Sequence, residues 1–257
     1  MKKIILVILI AFIGLSFVVA EEGAWDWKDN AASTTYGVAF MPVDFYNANK
    51  DTSNTVMMTG IDIRLFNGKN ITTRGGFYTG TEVGVIMFFS GDAEFEDSYS
   101  DGTNTVNYNI VNSDSFIGTV FVLAKYGYRL DLGVKLFGLS LGWEMGMGAR
   151  IASGNFDFSA NIGGEDGSRS QGYDTTAMSM ILDTAVEGSV RLGTNLRFVA
   201  KLGVMLTPPL VSISDEGVTA IVGDGISAAE ADSILNVYDI QSSPLITTVR
   251  VGFIVSY

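Results

Sequence analysis

From Phe116 to Ile151 the chain alternates apolar and polar residues at every second position, for longer than a strand of a soluble sheet needs. Phe116, Val120, Val122, Tyr126, Tyr128, Leu130, Leu132, Val134 and Leu136 form one row, and Lys125, Arg129, Asp131 and Lys135 fall in the other. After Phe137-Gly138 the apolar row restarts on odd numbers, with Leu139, Leu141, Trp143, Met145 and Met147 against Gly142, Glu144, Gly146 and Arg150. A two-residue turn at Phe137-Gly138 puts Leu136 opposite Leu139 and requires this change of parity. An apolar row backed by glycines and charges suits a strand with one face on lipid and the other on a closed lumen.

The same alternation predicts strands over Thr35–Val43, Met57–Leu65, Phe77–Phe89, Met178–Leu192, Leu196–Leu206 and Leu245–Tyr257. Asn67-Gly68 reads as a turn. Gly193-Thr194-Asn195 reads as a three-residue turn, across which parity stays unchanged. Short connections near Asn67, Phe137 and Thr194 alternate with longer ones near Lys50, Glu96, Glu165 and Glu230. The expected fold is all-β: an antiparallel, up-and-down transmembrane β-barrel of eight strands, with short turns and both termini on the periplasmic side. A further hairpin in Leu210–Val222 would make ten. Phe116–Leu136 is expected to rise well above the lipid. At about 3.3 Å per residue and a tilt of about 45° it climbs nearly 50 Å, against an apolar band of about 25 Å.

Lys2-Lys3, the apolar run Ile4–Val19 and the small residue Ala20 read as a signal peptide over 1–20, which leaves 21–257 as the barrel. The other reading is a membrane anchor, although a spanning helix needs about 20 apolar residues.

The net charge is −12, yet the inward rows are nearly balanced. Their cations include Arg64, Lys125, Arg129, Arg191, Arg197, Lys201 and Arg250, and their carboxylates Asp62, Glu82, Glu144, Asp183 and Glu187. Buried charges persist only when paired, so these twelve are expected to form a charge network that plugs the lumen. A conducting pore is the alternative and needs a wider barrel. The acid excess therefore falls in loops and termini. At the long-loop end the inward rows turn apolar, with Met41, Met58, Phe88, Phe121, Leu123 and Met205. These form either a mouth for an apolar ligand or a dry core beneath the segment 227–238.

The chain has no histidine and no cysteine, which excludes Ser-His and Cys-His nucleophiles and the usual zinc sites. The inward carboxylates could make an acid/base pair, but neighbouring cations favour ion pairing. The Asp92–Asp101 cluster lacks a complete calcium-loop pattern. No phosphate-binding loop is present, and an acidic surface argues against nucleic acid. No catalytic residue, metal or cofactor is expected.

The eight-strand pattern and the terminal stretch Val249–Tyr257, with Phe253, Val255 and Tyr257 in one row, resemble the small outer-membrane barrels of the OmpA transmembrane domain, OmpX and OmpW group. The resemblance covers nearly all of the expected mature chain and is architectural. It implies the outer membrane of a diderm bacterium, with outer-membrane lipid and the barrel-assembly machinery as partners, the latter reading the terminal stretch. It also implies a structural or adhesin-like surface role, in which the acidic loops meet a host or surface ligand. OmpW-like capture of small apolar molecules is the second implied role, and a narrow porin the third. Enzymes that share this architecture rely on a catalytic histidine, so a non-enzyme is expected.

Overall fold

The computed structural model describes residues 30–47, 52–70, 76–90, 93–100, 105–112, 115–131, 138–162, 165–172, 178–193, 195–210 and 238–257. The expected signal peptide, the connection at Lys50 and the segments 132–137 and 211–237 lie outside these residues.

Twelve strands are present: β1 (Asn30–Asn47), β2 (Thr52–Asn70), β3 (Gly76–Ser90), β4 (Ala93–Ser100), β5 (Thr105–Asn112), β6 (Phe116–Asp131), β7 (Ser140–Ile162), β8 (Glu165–Gly172), β9 (Met178–Arg191), β10 (Leu196–Leu206), β11 (Tyr238–Ser242) and β12 (Leu245–Ser256). Eight of them form a closed antiparallel ring in the order β1-β2-β3-β6-β7-β9-β10-β12, sealed by the β12–β1 and β7–β9 pairings. Closure leaves no backbone edge facing lipid, the condition for strands to cross a bilayer. β10 pairs with β12 from Leu196↔Val255 to Leu206↔Leu245, so no further hairpin enters the ring. The protein is an eight-stranded outer-membrane barrel. No helix among the described residues is long and apolar enough to cross a membrane; the strands do so.

Side-chain exposure follows the two-residue code around the ring. Val38, Ile61, Val122, Leu182, Leu202 and Val249 face outward, while Ala39, Asp62, Leu123, Asp183, Lys201 and Arg250 face inward and are buried. Aromatic side chains pair across neighbouring strands on the outer surface. Phe77 packs on Tyr128 with ring centroids 4.7 Å apart and Phe198 on Phe253 at 5.8 Å, both towards the short-turn rim. Phe89 packs on Phe116 at 5.5 Å near the opposite rim. Two aromatic levels around an apolar band mark the interfaces of a membrane barrel.

Several turns differ from their expected positions. Leu130 pairs with Leu141, whereas a two-residue turn at Phe137-Gly138 would pair Leu130 with Met145. The ladder is shifted by four residues, and an even shift keeps every side chain on its face. Asn67 and Gly68 lie within the β2–β3 ladder, opposite Thr81 and Gly80, and not in a turn. There the Asn67 side chain accepts a hydrogen bond from the Tyr257 hydroxyl at 3.1 Å. The three-residue connection at Thr194 matches its expected register, with Arg191 opposite Arg197 and the Leu192 amide bonded to the Leu196 carbonyl at 2.9 Å.

The two long central loops are hairpins. β4 pairs with β5, and β5 and β8 pair with opposite sides of the upper part of β7. Among the described residues the tall strand is the 23-residue β7; β6 covers the 16 residues Phe116–Asp131, and the expected continuation to Leu136 lies outside the described residues. At about 3.3 Å per residue and a tilt of about 45°, β7 climbs roughly 54 Å. Above the ring, β5 takes the place of β6 beside β7 and β8 that of β9, giving a four-stranded sheet that stands above the barrel.

The absence of cysteine permits a direct test of register. Facing residues of an antiparallel pair lie within disulfide reach. Leu130→Cys/Leu141→Cys should oxidise to an intramolecular disulfide with loss of both free thiols. Leu130→Cys/Met145→Cys should keep its thiols.

Candidate functional site: the lumen

The inward rows bring ten of the twelve expected charges into one connected network. Arg64 lies 2.9 Å from Asp62, 3.1 Å from Glu82 and 3.0 Å from Asp183. Lys125 reaches Glu82 and Glu144, each at 3.2 Å, and also pairs with Asp183. Lys201 bridges Glu144 at 2.6 Å and Glu187 at 3.4 Å, and Glu187 pairs with Arg129. Arg250 stands looser, 3.9 Å from Asp62, 3.8 Å from Glu82 and 3.7 Å from Glu144. Five cations meet five carboxylates, so the network is formally neutral. All ten side chains are buried.

Arg197 and Arg191 are placed differently. Arg197 is buried towards the short-turn rim and donates to Ser140 Oγ at 2.9 Å. Arg191 faces Arg197 across the β9–β10 ladder, yet it is exposed and donates to the Gly193 carbonyl at 3.0 Å. The expectation that it joins the lumen network is corrected. At the strand end, an inward parity no longer means an enclosed position.

Two inward glycines make room for rings that support the network. Gly84 faces Phe121 across the β3–β6 ladder, and a Cβ there would collide with the Phe121 ring. That ring carries the Arg64 guanidinium at 4.9 Å. Gly127 clears space for the Tyr78 ring in the same way. The Tyr78 hydroxyl donates to Glu144 at 3.0 Å, and its ring lies 4.8 Å from the Arg129 guanidinium. Tyr78 was absent from the sequence-derived set, although counting back by two from Glu82 places it on the inward row.

Towards the long-loop rim the lumen becomes apolar. Met41, Met58, Phe88, Phe121, Leu123 and Met205 are at most 1% exposed and belong to one continuous cluster. The cluster continues upward through Phe45, Ile110, Phe156, Leu210 and Ile240, with Phe45 and Phe156 edge-to-face at 6.4 Å. Arg150 lies at this level, donating to Ser179 Oγ at 2.9 Å and to the Pro208 carbonyl. The terminal row lies on the outer surface of β12, with Phe253 and Tyr257 exposed and Val255 half-buried. No metal-binding group of side chains occurs among the described residues.

No protein-family model matches the chain, and neither does the sequence of any curated protein. Solved membrane barrels do resemble it in shape. Neisserial surface protein A is 11% identical, with a TM-score of 0.34, covering 88% of this chain and 99% of its own. Ail, the attachment invasion locus protein of Yersinia pestis, is 13% identical at a TM-score of 0.33, with the same coverage, and has a structure in complex with the heparin analogue sucrose octasulfate. A major outer membrane protein from Thermus thermophilus is 13% identical at a TM-score of 0.38, again covering 88% and 99%. The fold assignment rests on the strand ladders of this chain.

The network makes unequal demands on its members. Removing one partner of a buried ion pair strands the others, at a cost of about 3–5 kcal/mol. Glu144→Ala, which frees Lys125, Lys201 and the Tyr78 hydroxyl, should lose stability of this order in urea unfolding of the refolded barrel. Arg191→Ala should change it by no more than about 0.5 kcal/mol.

Proposed function

We propose that this barrel is a non-catalytic surface-contact protein, whose projecting sheet meets positively charged partners outside the cell. The observation that carries the reading is the four-stranded sheet β4-β5-β7-β8 above the ring. Short turns and termini occupy the periplasmic rim of bacterial barrels, so this sheet lies on the outer side. Residues 90–114 contain six carboxylates and no lysine or arginine. Glu94 and Glu96 on β4 are exposed, and Asn109 of β5 donates to Glu94 at 2.7 Å. Such a surface attracts basic proteins and repels sulfated ligands of the kind complexed with Ail. Complementary charge acts mainly on encounter rate and choice of partner, and it weakens with salt.

The lumen serves this role as a rigid support. Eight strands leave room for side chains and not for a water column. The neutral network closes the periplasmic half, and we read Met41, Met58, Phe88, Phe121, Leu123 and Met205 as a packing core rather than a ligand mouth. Their near-complete burial supports that reading over apolar capture and over a narrow porin.

Cells that display the wild-type barrel should adhere to a surface coated with a basic protein. Glu94→Gln/Glu96→Gln should reduce adhesion severalfold, as should added salt. Equal adhesion by the variant at low salt would overturn the proposal. For the core reading, purified wild type should take up no fluorescent fatty acid, and Phe121→Asp should lose stability without any change in uptake. Saturable uptake by wild type that Phe121→Asp abolishes would instead establish a ligand mouth.

A further inference from the structure

The outward rows of β1 and β2 change character above the outer aromatic level. Phe89 stands opposite Thr59, and Thr59 opposite Phe40. Up to Met57 on β2 and Pro42 on β1 these rows are largely apolar, and at Thr55 and Asp44 they become polar. The ladders then bring three strands together. Asp44 faces Thr55 of β2 and Gln241 of β11, and Tyr46 faces Ser53 and Asp239 on the same two strands. Neighbouring strands lie about 4.8 Å apart, so these side chains form one patch roughly 10 Å wide. Tyr46 is 38% exposed; Ser53, Thr55, Asp239 and Gln241 are exposed and Asp44 is half-buried. The Thr55 hydroxyl donates to Asp44 at 2.6 Å, which holds that carboxylate in place.

The make-up of the patch selects its ligand. The carboxylates only accept hydrogen bonds, the amide and hydroxyls donate and accept, and the tyrosine offers an apolar ring with a polar tip. A neutral sugar is the complement, with hydroxyl donors set around apolar C–H faces. A phosphate or other anion would meet Asp44 and Asp239 and be repelled. Position narrows the source. Thr55 and Asp44 begin four residues beyond the Phe89 level, and Ser53 and Tyr46 lie six beyond it. At a tilt of about 45° the patch therefore stands roughly 10 Å above the outer interface. It faces sideways from the barrel wall, towards the surrounding headgroups, and in the outer leaflet of a diderm bacterium that layer is built of saccharide. We propose that the β11-β1-β2 patch is a saccharide site that holds a neutral hexose of an outer-leaflet glycolipid. The Tyr46 ring packs on an apolar face of the sugar, and Asp44, Asp239 and Gln241 accept from its hydroxyls.

The test uses the full barrel in nanodiscs containing equal parts of diglucosyl diacylglycerol, phosphatidylglycerol and phosphatidylcholine, with the lipids retained on release counted by native mass spectrometry. Wild type should retain the glucolipid in severalfold excess over the other two. Tyr46→Ser should remove most of that excess, and Asp44→Asn/Asp239→Asn should reduce it severalfold. Both variants should keep the gel mobility shift on boiling that marks an intact barrel. The double variant preserves side-chain shape and decides the question even if Tyr46→Ser does not fold. Equal retention of the three lipids would overturn the proposal, as would an excess of phosphatidylglycerol, which assigns the patch to an anionic headgroup. A glucolipid excess that survives in the folded variants would also overturn it, since the sugar would then sit elsewhere on the barrel.

Discussion

A charge inside an eight-stranded barrel has no water to retreat to, and the rest of this lumen is arranged around that fact. The ring is too narrow for bulk solvent, and each ion taken from water costs several kcal/mol before any partner is met. The chain meets this cost by drawing cations and carboxylates from seven strands so that opposite signs meet across the lumen. β2 supplies Asp62 and Arg64, β3 Glu82, β6 Lys125 and Arg129, β7 Glu144, β9 Asp183 and Glu187, β10 Lys201 and β12 Arg250. Each carboxylate faces cations from at least one other strand, so the interactions lock the register of the whole ring and not merely of neighbours. The glycines beside Phe121 and Tyr78 follow from the same demand, since two bulky rings and ten charged side chains cannot share the lumen unless some positions carry no side chain.

This arrangement divides the barrel lengthwise into unlike halves. The polar half holds its strands together through specific, directional contacts. The apolar half, from Leu123 to Phe156, relies on packing that tolerates conservative exchange. Arg150 is the exception in the apolar half, satisfied by a hydroxyl and a backbone carbonyl and not by a carboxylate. The outer sheet rises directly above this apolar half, so its base is a dry, close-packed support.

The faces of the strands were legible in the sequence because the side-chain period of two is strict and lipid tolerates no error in it. The sign and position of nearly every lumen charge followed from parity alone. Register was less legible, for the same reason. An even slip leaves each residue on its face, so the Leu136–Leu139 pairing and the actual Leu130–Leu141 pairing look identical to a parity argument. Asn67-Gly68 has the composition of a turn, but the longer β2–β3 ladder and the bond from Tyr257 hold it in a strand. The hairpins β4–β5 and β7–β8 were less legible because their acidic, Asn-, Ser- and Gly-rich composition is that of a loop, even though Val106, Tyr108 and Ile110 keep the two-residue period. Arg191 failed at the boundary, where parity persists but enclosure ends. Tyr78 was less legible because an inward tyrosine carries no formal charge to mark it as part of the network.

Arg250 sits on the last strand and lies among carboxylates from β2, β3 and β7, three strands made much earlier in synthesis. Until that strand arrives, Asp62, Glu82 and Glu144 lack their shared counter-charge, and both strands that flank it, β1 and β10, have an open edge. A partial sheet therefore leaves these carboxylates short of one partner beside two open edges, and entering lipid in that state is unfavourable. The chain is thus poised to wait in water until it is complete. Insertion becomes a single late event, timed by the arrival of the carboxyl-terminal strand rather than by the order in which the hairpins emerge.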